Sequence, residues 1–274
     1  MQWISASDGV TSKKEPLRAT PGAYQMPRLS RDGKRIALVI AAGGNQDIWV
    51  FDPQRDTLTR MTFGGTNASP VWSPDGQSIV FEKMGQGIFQ VRADGASQPQ
   101  ALMASGVPRL LWSSTPDGRQ LAYWERNQIW TVALEDQGGQ LKAGTPAPFL
   151  KSPFSDVAPS ISPDGNWLAY HSNESGTSEV YVRTFPPSAT SPGGKWQVSN
   201  NGGTFPRWSR IGHELVYQSA DQLMTVSYTV NGPTFIADKP RLWIASLSGT
   251  SGFDWDLAPD GKRVVALIPE GMLL

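Results

Sequence analysis

With two histidines and no cysteine, this 274-residue chain has few routes to covalent or metal chemistry. The missing cysteines remove disulfides, thiolate nucleophiles and cysteine-based zinc sites. His213-Glu214 is followed by Leu215-Val216-Tyr217, so the paired-histidine zinc motif of metalloproteases is absent. A hydrolase nucleophile elbow needs Gly-x-Ser-x-Gly, and Gly249-Thr250-Ser251-Gly252 has the wrong spacing. The sequence contains no glycine-rich phosphate loop, no His-Arg-Asp triplet and no Asp-Phe-Gly, so a kinase active site is not encoded here. No calcium loop of the Asp-x-Asp-x-Asp-Gly kind is found. No catalytic residue, metal ligand or cofactor is assigned.

The carboxylates that do recur sit in a repeated turn. Ser30-Arg31-Asp32-Gly33, Ser73-Pro74-Asp75-Gly76, Ser162-Pro163-Asp164-Gly165 and Ala258-Pro259-Asp260-Gly261 are copies of one pattern. Ser114-Thr115-Pro116-Asp117-Gly118 reads as a fifth with an insertion, and Ser209-Arg210-Ile211-Gly212 as a degenerate sixth. Pro presets φ for a type I turn, Asp bonds its own backbone, and Gly closes the hairpin in the left-handed region. These aspartates are therefore turn formers. Their glycines, at 33, 76, 118, 165, 212 and 261, lie 42–49 residues apart, the period of a propeller or another repeat array.

Each copy has the same surroundings. An apolar residue or Trp precedes the turn, an alternating strand such as Arg35–Val39 or Asn166–Tyr170 follows, and a third strand such as Asp47–Phe51 or Glu179–Arg183 comes next. A short fourth strand ends most copies, as at Leu58–Thr62 and Lys195–Ser199. Four short antiparallel strands per repeat make one propeller blade, so the expected fold is all-β, a six-bladed propeller filling residues 1–274 as a single domain. Trp49, Trp72, Trp112, Trp130, Trp167 and Trp208 are expected to pack between blades.

Only one strand, Lys262–Ile268, remains after the sixth turn. The N-terminus supplies its partners: Gln2–Ala6, a turn at Asp8-Gly9, then Lys14–Arg18. Residues 1–19 are thus expected to form the outer strands of the closing blade, which removes the open seam and points to a complete domain.

The composition limits the partners. Lys+Arg and Asp+Glu are 24 each, so a neutral chain has no bulk attraction for nucleic acid or an anionic membrane. No apolar run is long enough to span a bilayer, and Met1–Ser5 lacks a signal-peptide pattern.

The Trp-Ser-Pro-Asp-Gly repeat resembles the TolB-type six-bladed propeller over nearly the whole chain. Asn166–Gly176, Glu179–Pro186, Gly194–Ser199 and Gly203–Ser209 are similar to the propeller region attached to bacterial transmembrane serine/threonine protein kinases. Arg31 and Arg210 depart from the pattern by replacing the turn proline, and Ile211 by replacing the turn aspartate. The resemblance implies a sensory or binding module on the periplasmic or extracytoplasmic side. Its partner would be a protein, a peptide or a small polar ligand. The alternative is a lyase- or lactonase-like propeller enzyme with its site in the central channel.

Two sets of candidate ligand contacts follow. Loops joining second and third strands, together with the loops between blades, should open on the face opposite the repeated turns; His171, Asn173, Glu174 and Arg126 fall there. The residue two before each turn, aligned through the repeats, is Arg28, Val71, Leu111, Ser160, Arg207 and Asp256. Ring closure would place Asp256 between Arg28 and Arg207, as an ion-pair network or as an anion-binding spot.

Overall fold

The repeated turn folds as its chemistry dictates. In the computed structural model, Ser30 Oγ donates to Asp32 Oδ1 at 2.6 Å, Arg35 N donates to Ser30 Oγ at 3.0 Å, and Gly33 N donates to Ser30 O at 2.9 Å with Gly33 at φ +70°. The same bonds recur around Asp75, Asp117 and Asp164. The hydroxyl bond holds the Asp32, Asp75 and Asp117 carboxyls below the usual carboxylate range. At the degenerate copy, Gly212 is not in the left-handed region and Ser209 Oγ is buried without a partner among the described residues.

The structure describes residues 1–6, 12–17, 22–136, 141–187, 193–247 and 249–268. In chain order, β1 (Gln2–Ala6) and β2 (Ser12–Pro16) precede blade 1, which is β3 (Tyr24–Leu29), β4 (Ile36–Ala42), β5 (Asn45–Asp52) and β6 (Thr57–Arg60). Blade 2 is β7 (Asn67–Trp72), β8 (Ser78–Lys83), β9 (Gly87–Arg92) and β10 (Gln100–Ala104). Blade 3 is β11 (Leu110–Ser114), β12 (Gln120–Glu125) and the long β13 (Gln128–Asp136), on which β14 (Leu141–Ala143) and β15 (Ala147–Pro148) both pair. Blade 4 is β16 (Asp156–Ile161), β17 (Trp167–Ser172), β18 (Glu179–Thr184) and β19 (Lys195–Gln197). Blade 5 is β20 (Thr204–Trp208), β21 (Glu214–Ser219) and β22 (Gln222–Asn231), with β23 (Thr234–Ala237) and β24 (Arg241–Ile244) sharing β22. β25 (Trp255–Leu257) and β26 (Arg263–Ala266) begin blade 6.

Both chain ends build that last blade, in the order β25-β26-β1-β2. Trp3 pairs with Val265 and with Glu15. The second N-terminal strand ends at Pro16, two residues earlier than expected, and Arg18 and the Asp8-Gly9 turn lie outside the described residues. No helix is present among the described residues, and none long and apolar enough to cross a membrane.

Buried side chains form clusters at every blade junction. Leu38, Ile36 and Phe51 of blade 1 meet Ala258 and Val265 of blade 6, so the closing junction has a core like the others. Trp167 and Trp208 share the junction of blades 4 and 5, and Trp72 that of blades 1 and 2. Trp49 and Trp130 are only half-buried.

Trp112 departs from the expectation. The turn of blade 3 opens at Thr115, whose hydroxyl does the work of the serine, so there is no insertion. Ser113, not Leu111, is then the residue two before the turn, and Trp112 lies one position deeper, facing the channel.

Candidate functional site

Four inner strands carry a bulge at the same place. The residues Met26, Ser69, Ala158 and Phe205 have φ of 51°, 53°, 55° and 52°, and each precedes a proline. The ladder register shifts at each of these points. Positive φ in non-glycine residues is uncommon, and bulges re-aim the next side chain. Here the next residues in blades 1 and 5 are Arg28 and Arg207. Each guanidinium folds back on its own preceding proline: Arg28 Nη1 donates to Pro27 O at 2.8 Å and Arg207 Nη1 to Pro206 O at 3.2 Å.

These two arginines and Asp256 are brought together, as ring closure requires. Arg207 Nε lies 3.4 Å from Asp256 Oδ1, and Leu29 N donates to Asp256 Oδ2 at 2.8 Å. Arg28 Nη1 also donates to Phe253 O at 3.2 Å. Arg28 and Arg207 are each 8% exposed and Asp256 is 7% exposed. Arg207 Nη2 is buried and finds no acceptor among the described residues. Burial, and then the charge of Arg28, push the Arg207 guanidinium down to about 9, only partly offset by Asp256. Burial also lowers Arg28, against the pull of Asp256 and Asp254.

Around this trio lies an axial cavity of about 420 Å³, lined by inner-strand ends and turns of all six blades. That volume falls in the range of small-molecule sites. Each inner strand ends at its turn, so the cavity opens on the turn face. Sequence reasoning favoured the opposite face, where more loops gather; this cavity lies at the turn end of the channel, above an aromatic layer beneath the arginines. Trp112, Phe205 and Phe253 pack there with ring centroids 5.2–5.6 Å apart. Both guanidiniums sit over Trp112, at 5.7 Å for Arg28 and 5.2 Å for Arg207. Gly252 admits the Phe205 ring, since a Cβ there would fall 1.7 Å from it.

The mouth is built by the turns. Pro74, Pro116 and Pro259 each pack against the turn glycine of the next blade, Gly118, Gly165 and Gly33. Where arginine replaces the proline, the side chain reaches farther. Arg31 Nη1 donates to Pro116 O of blade 3 at 3.1 Å, passing blade 2. Arg210 Nη1 donates to Ser30 O and Arg31 O of blade 1, at 3.1 and 2.9 Å, passing blade 6.

The other candidates lie apart from this cavity, toward the opposite face. His171 is in β17, 8% exposed; its Nδ1 accepts from Phe205 N at 3.3 Å and its ring packs edge-on to Phe205. It supports the aromatic layer rather than entering a loop, and burial pushes it down to about 4. Asn173 Oδ1 accepts from Ser155 N at 2.9 Å, and Glu174 pairs with Lys195. Arg126 is an exposed turn residue at φ +51°. Glu174, Phe154 and Arg183 border a second cavity, at the rim between blades 3 and 4.

Phe205, Phe253, Trp112 and the bridging role of Arg31 and Arg210 were not anticipated. One signal was available: Pro27, Pro70, Pro159 and Pro206 stand at one offset, three residues before the turn.

A closed ring of antiparallel blades around an axial cavity defines a six-bladed β-propeller. The chain belongs to the TolB β-propeller family: the family model for the TolB beta propeller domain matches residues 4–145, over half of its length. It is similar to the Tol-Pal system protein TolB of Francisella tularensis subsp. mediasiatica, with 35% identity over 78 residues, 28% of this chain and 18% of that protein. The match thus spans less than a fifth of the curated relative's length. Among solved structures, a putative TolB from Agrobacterium tumefaciens superposes with a TM-score of 0.65 at 17% identity, covering 98% of both chains. TolB from Acinetobacter baumannii gives 0.61 at 20% identity, over 89% of this chain and 63% of that one. An oligogalacturonate lyase in complex with manganese gives 0.57 at 14% identity, over 98% and 96%. At these identities the structural likenesses show the fold.

Proposed function

We propose that residues 1–274 form one non-catalytic binding or sensory propeller domain, which holds a peptide, a protein segment or a small polar ligand at the channel mouth on the turn face. The observation that carries this reading is the axial cavity, where six blades converge on buried charged side chains. Among the described residues its titratable lining is four arginines and Asp256, with no histidine and no second carboxylate. Asp256 is already engaged by Leu29 N and Arg207, which disfavours a general base there. For the same reason the lyase- or lactonase-like alternative is weaker. Membership of the TolB family and the blade 4–5 motifs favour an extracytoplasmic TolB-like envelope protein or the sensing part of a kinase-linked receptor.

Trp112 lines the cavity and provides the test. Neutral, anionic and cationic small molecules and peptides are titrated against the tryptophan fluorescence of the wild-type chain and of Trp112→Phe. A saturable change that Trp112→Phe loses supports the reading; equal responses in both proteins, or none, reject it.

A further inference from the structure

We infer that the turn-face cavity takes an anion with a carboxylate or phosphate head, held by Arg28 and Arg207 and covered by Arg31 and Arg210. The inference rests on the reading of this cavity as the binding site and adds the chemistry of what enters it.

Four of the lining side chains are cationic and one is anionic. Asp254 and Asp32 lie close enough to act on Arg28 and Arg210, yet a positive surplus remains when both are included. Asp32 is already committed to its turn, through Ser30 Oγ and Lys34 N. Asp256 spends one oxygen on Leu29 N and meets Arg207 through Nε at 3.4 Å, so the guanidinium fork is not filled. Arg207 Nη2 has no acceptor among the described residues. A buried donor without a partner is costly, and the open Nη2 fits one oxygen of a carboxylate or phosphate through a charge-assisted bond.

The upper pair has a different role. Among the described residues, Arg31 and Arg210 bond to backbone carbonyls, Pro116 O, Ser30 O and Arg31 O. Charge-assisted bonds to an anion are roughly twice as strong as bonds between neutral groups, so an anion entering the mouth can draw both side chains off these carbonyls. These are the two positions where arginine replaces the turn proline, and only a long side chain there can span a neighbouring blade. Below, Trp112 places a ring face under both lower guanidiniums, so the floor is apolar and the head group is recognised from the sides.

The test is thermal unfolding in chloride buffer with citrate, with inorganic phosphate, with a short peptide bearing acidic side chains and a free C-terminus, and with its amidated glutamine counterpart. The melting temperature of the wild-type chain is expected to rise saturably with citrate, phosphate or the acidic peptide, and not with the amide. Citrate or phosphate alone would identify a free anion as the source, and the acidic peptide alone a partner's segment. Multivalent anions also stabilise proteins by exclusion from their surface, so the variants decide. Arg207→Gln should abolish the saturable rise. The double variant Arg31→Gln/Arg210→Gln, altered only in the surface turns, should need about ten-fold more anion for the same rise, roughly what loss of one or two charge-assisted bonds predicts. Arg55→Gln, on the outer edge of blade 1, should behave as the wild type. Equal rises in all proteins would overturn the inference, including the case where Arg207→Gln does not fold and only the double variant is read. If neutral compounds give a Trp112-dependent response while anions give none, the anion chemistry fails and the binding site stands. If nothing binds, both fail.

Discussion

The indole Nε1 of Trp72 donates to the carbonyl oxygen of Arg28 at 2.8 Å, across the junction of blades 1 and 2. Trp208 Nε1 repeats the relationship with Ser160 O at 2.8 Å, across blades 4 and 5. The tryptophan one residue before the turn therefore ties its blade to the inner strand of the preceding one. In the first case it also fixes the backbone that carries Arg28. Trp72→Ala is expected to lower stability by about 3–5 kcal/mol in denaturant unfolding. Trp72→Phe keeps much of the apolar volume but removes the bond to the Arg28 carbonyl, which still faces its ladder partner Ala37, a loss of about 0.5–1.5 kcal/mol for the bond. A loss below about 1 kcal/mol for the alanine variant would contradict this packing.

Ring closure depends on the N-terminal strands. Ile4 is fully buried between blades 5 and 6, and Trp3 packs at the junction of blades 6 and 1. Deleting residues 1–17 leaves β26 as an open edge with Val264 and Val265 unshielded, and exposed apolar edges pair with other chains. The deletion variant is expected to aggregate, seen by light scattering. A monodisperse variant with one cooperative unfolding transition would place the seam elsewhere.

The aromatic layer under the arginines has little slack. Phe205 is confined by Trp112, Phe253 and His171, and a methyl group on Gly252 would overlap its ring. Gly252→Ala is expected to cost about 1–3 kcal/mol through overpacking and to alter the near-ultraviolet circular dichroism. An unchanged spectrum with unchanged stability would show that the ring moves freely.

Two buried groups titrate in opposite senses. Glu82 is 1% exposed; its Oε1 accepts from Arg109 N at 2.6 Å, its Oε2 has no partner among the described residues, and burial pushes it up to about 7. The folded state holds this proton more tightly than the unfolded chain, so its contribution is complete below the usual glutamate range and fades as pH rises to about 7. His171 is the reverse: pushed down to about 4, it is neutral when folded, and its contribution is lost as pH falls from the ordinary histidine range through 4. Glu82→Gln should therefore make stability rise more steeply with pH between about 4.5 and 7 than in the wild type. His171→Gln should flatten the acid limb. Unfolding free energies measured across that range check both, and parallel curves for all three proteins would contradict the assignment.

The turns were readable because Ser-Pro-Asp-Gly acts locally: Asp32 and Gly33 need nothing beyond their own hairpin. The closing blade followed from counting strands, since Lys262–Ile268 had no partner nearby in sequence. Blade 3 reads out of register in the sequence because Thr115 does the work of serine; the two-residue offset puts Trp112 three residues before the turn rather than one, at the register shift between Leu111 and Ser113, where it lines the channel. The trio Arg28, Arg207 and Asp256 emerged from the repeat register alone. What lies above and below it did not. Phe205 and Phe253 meet Trp112 from different blades, and the reach of Arg31 and Arg210 depends on the width of the mouth, which no local pattern encodes.

The most direct measurement is a difference electron-density map from crystals of the wild-type chain soaked in citrate, paired with Arg207→Gln crystals soaked identically. The predicted result is density in the axial cavity within hydrogen-bonding distance of the Arg207 guanidinium, with Arg31 and Arg210 turned from Pro116 O and Ser30 O toward it, and an empty cavity in the variant. Density confined to the opposite face near Asn173 and Glu174, or an empty cavity in the wild type, would contradict a ligand site on the turn face.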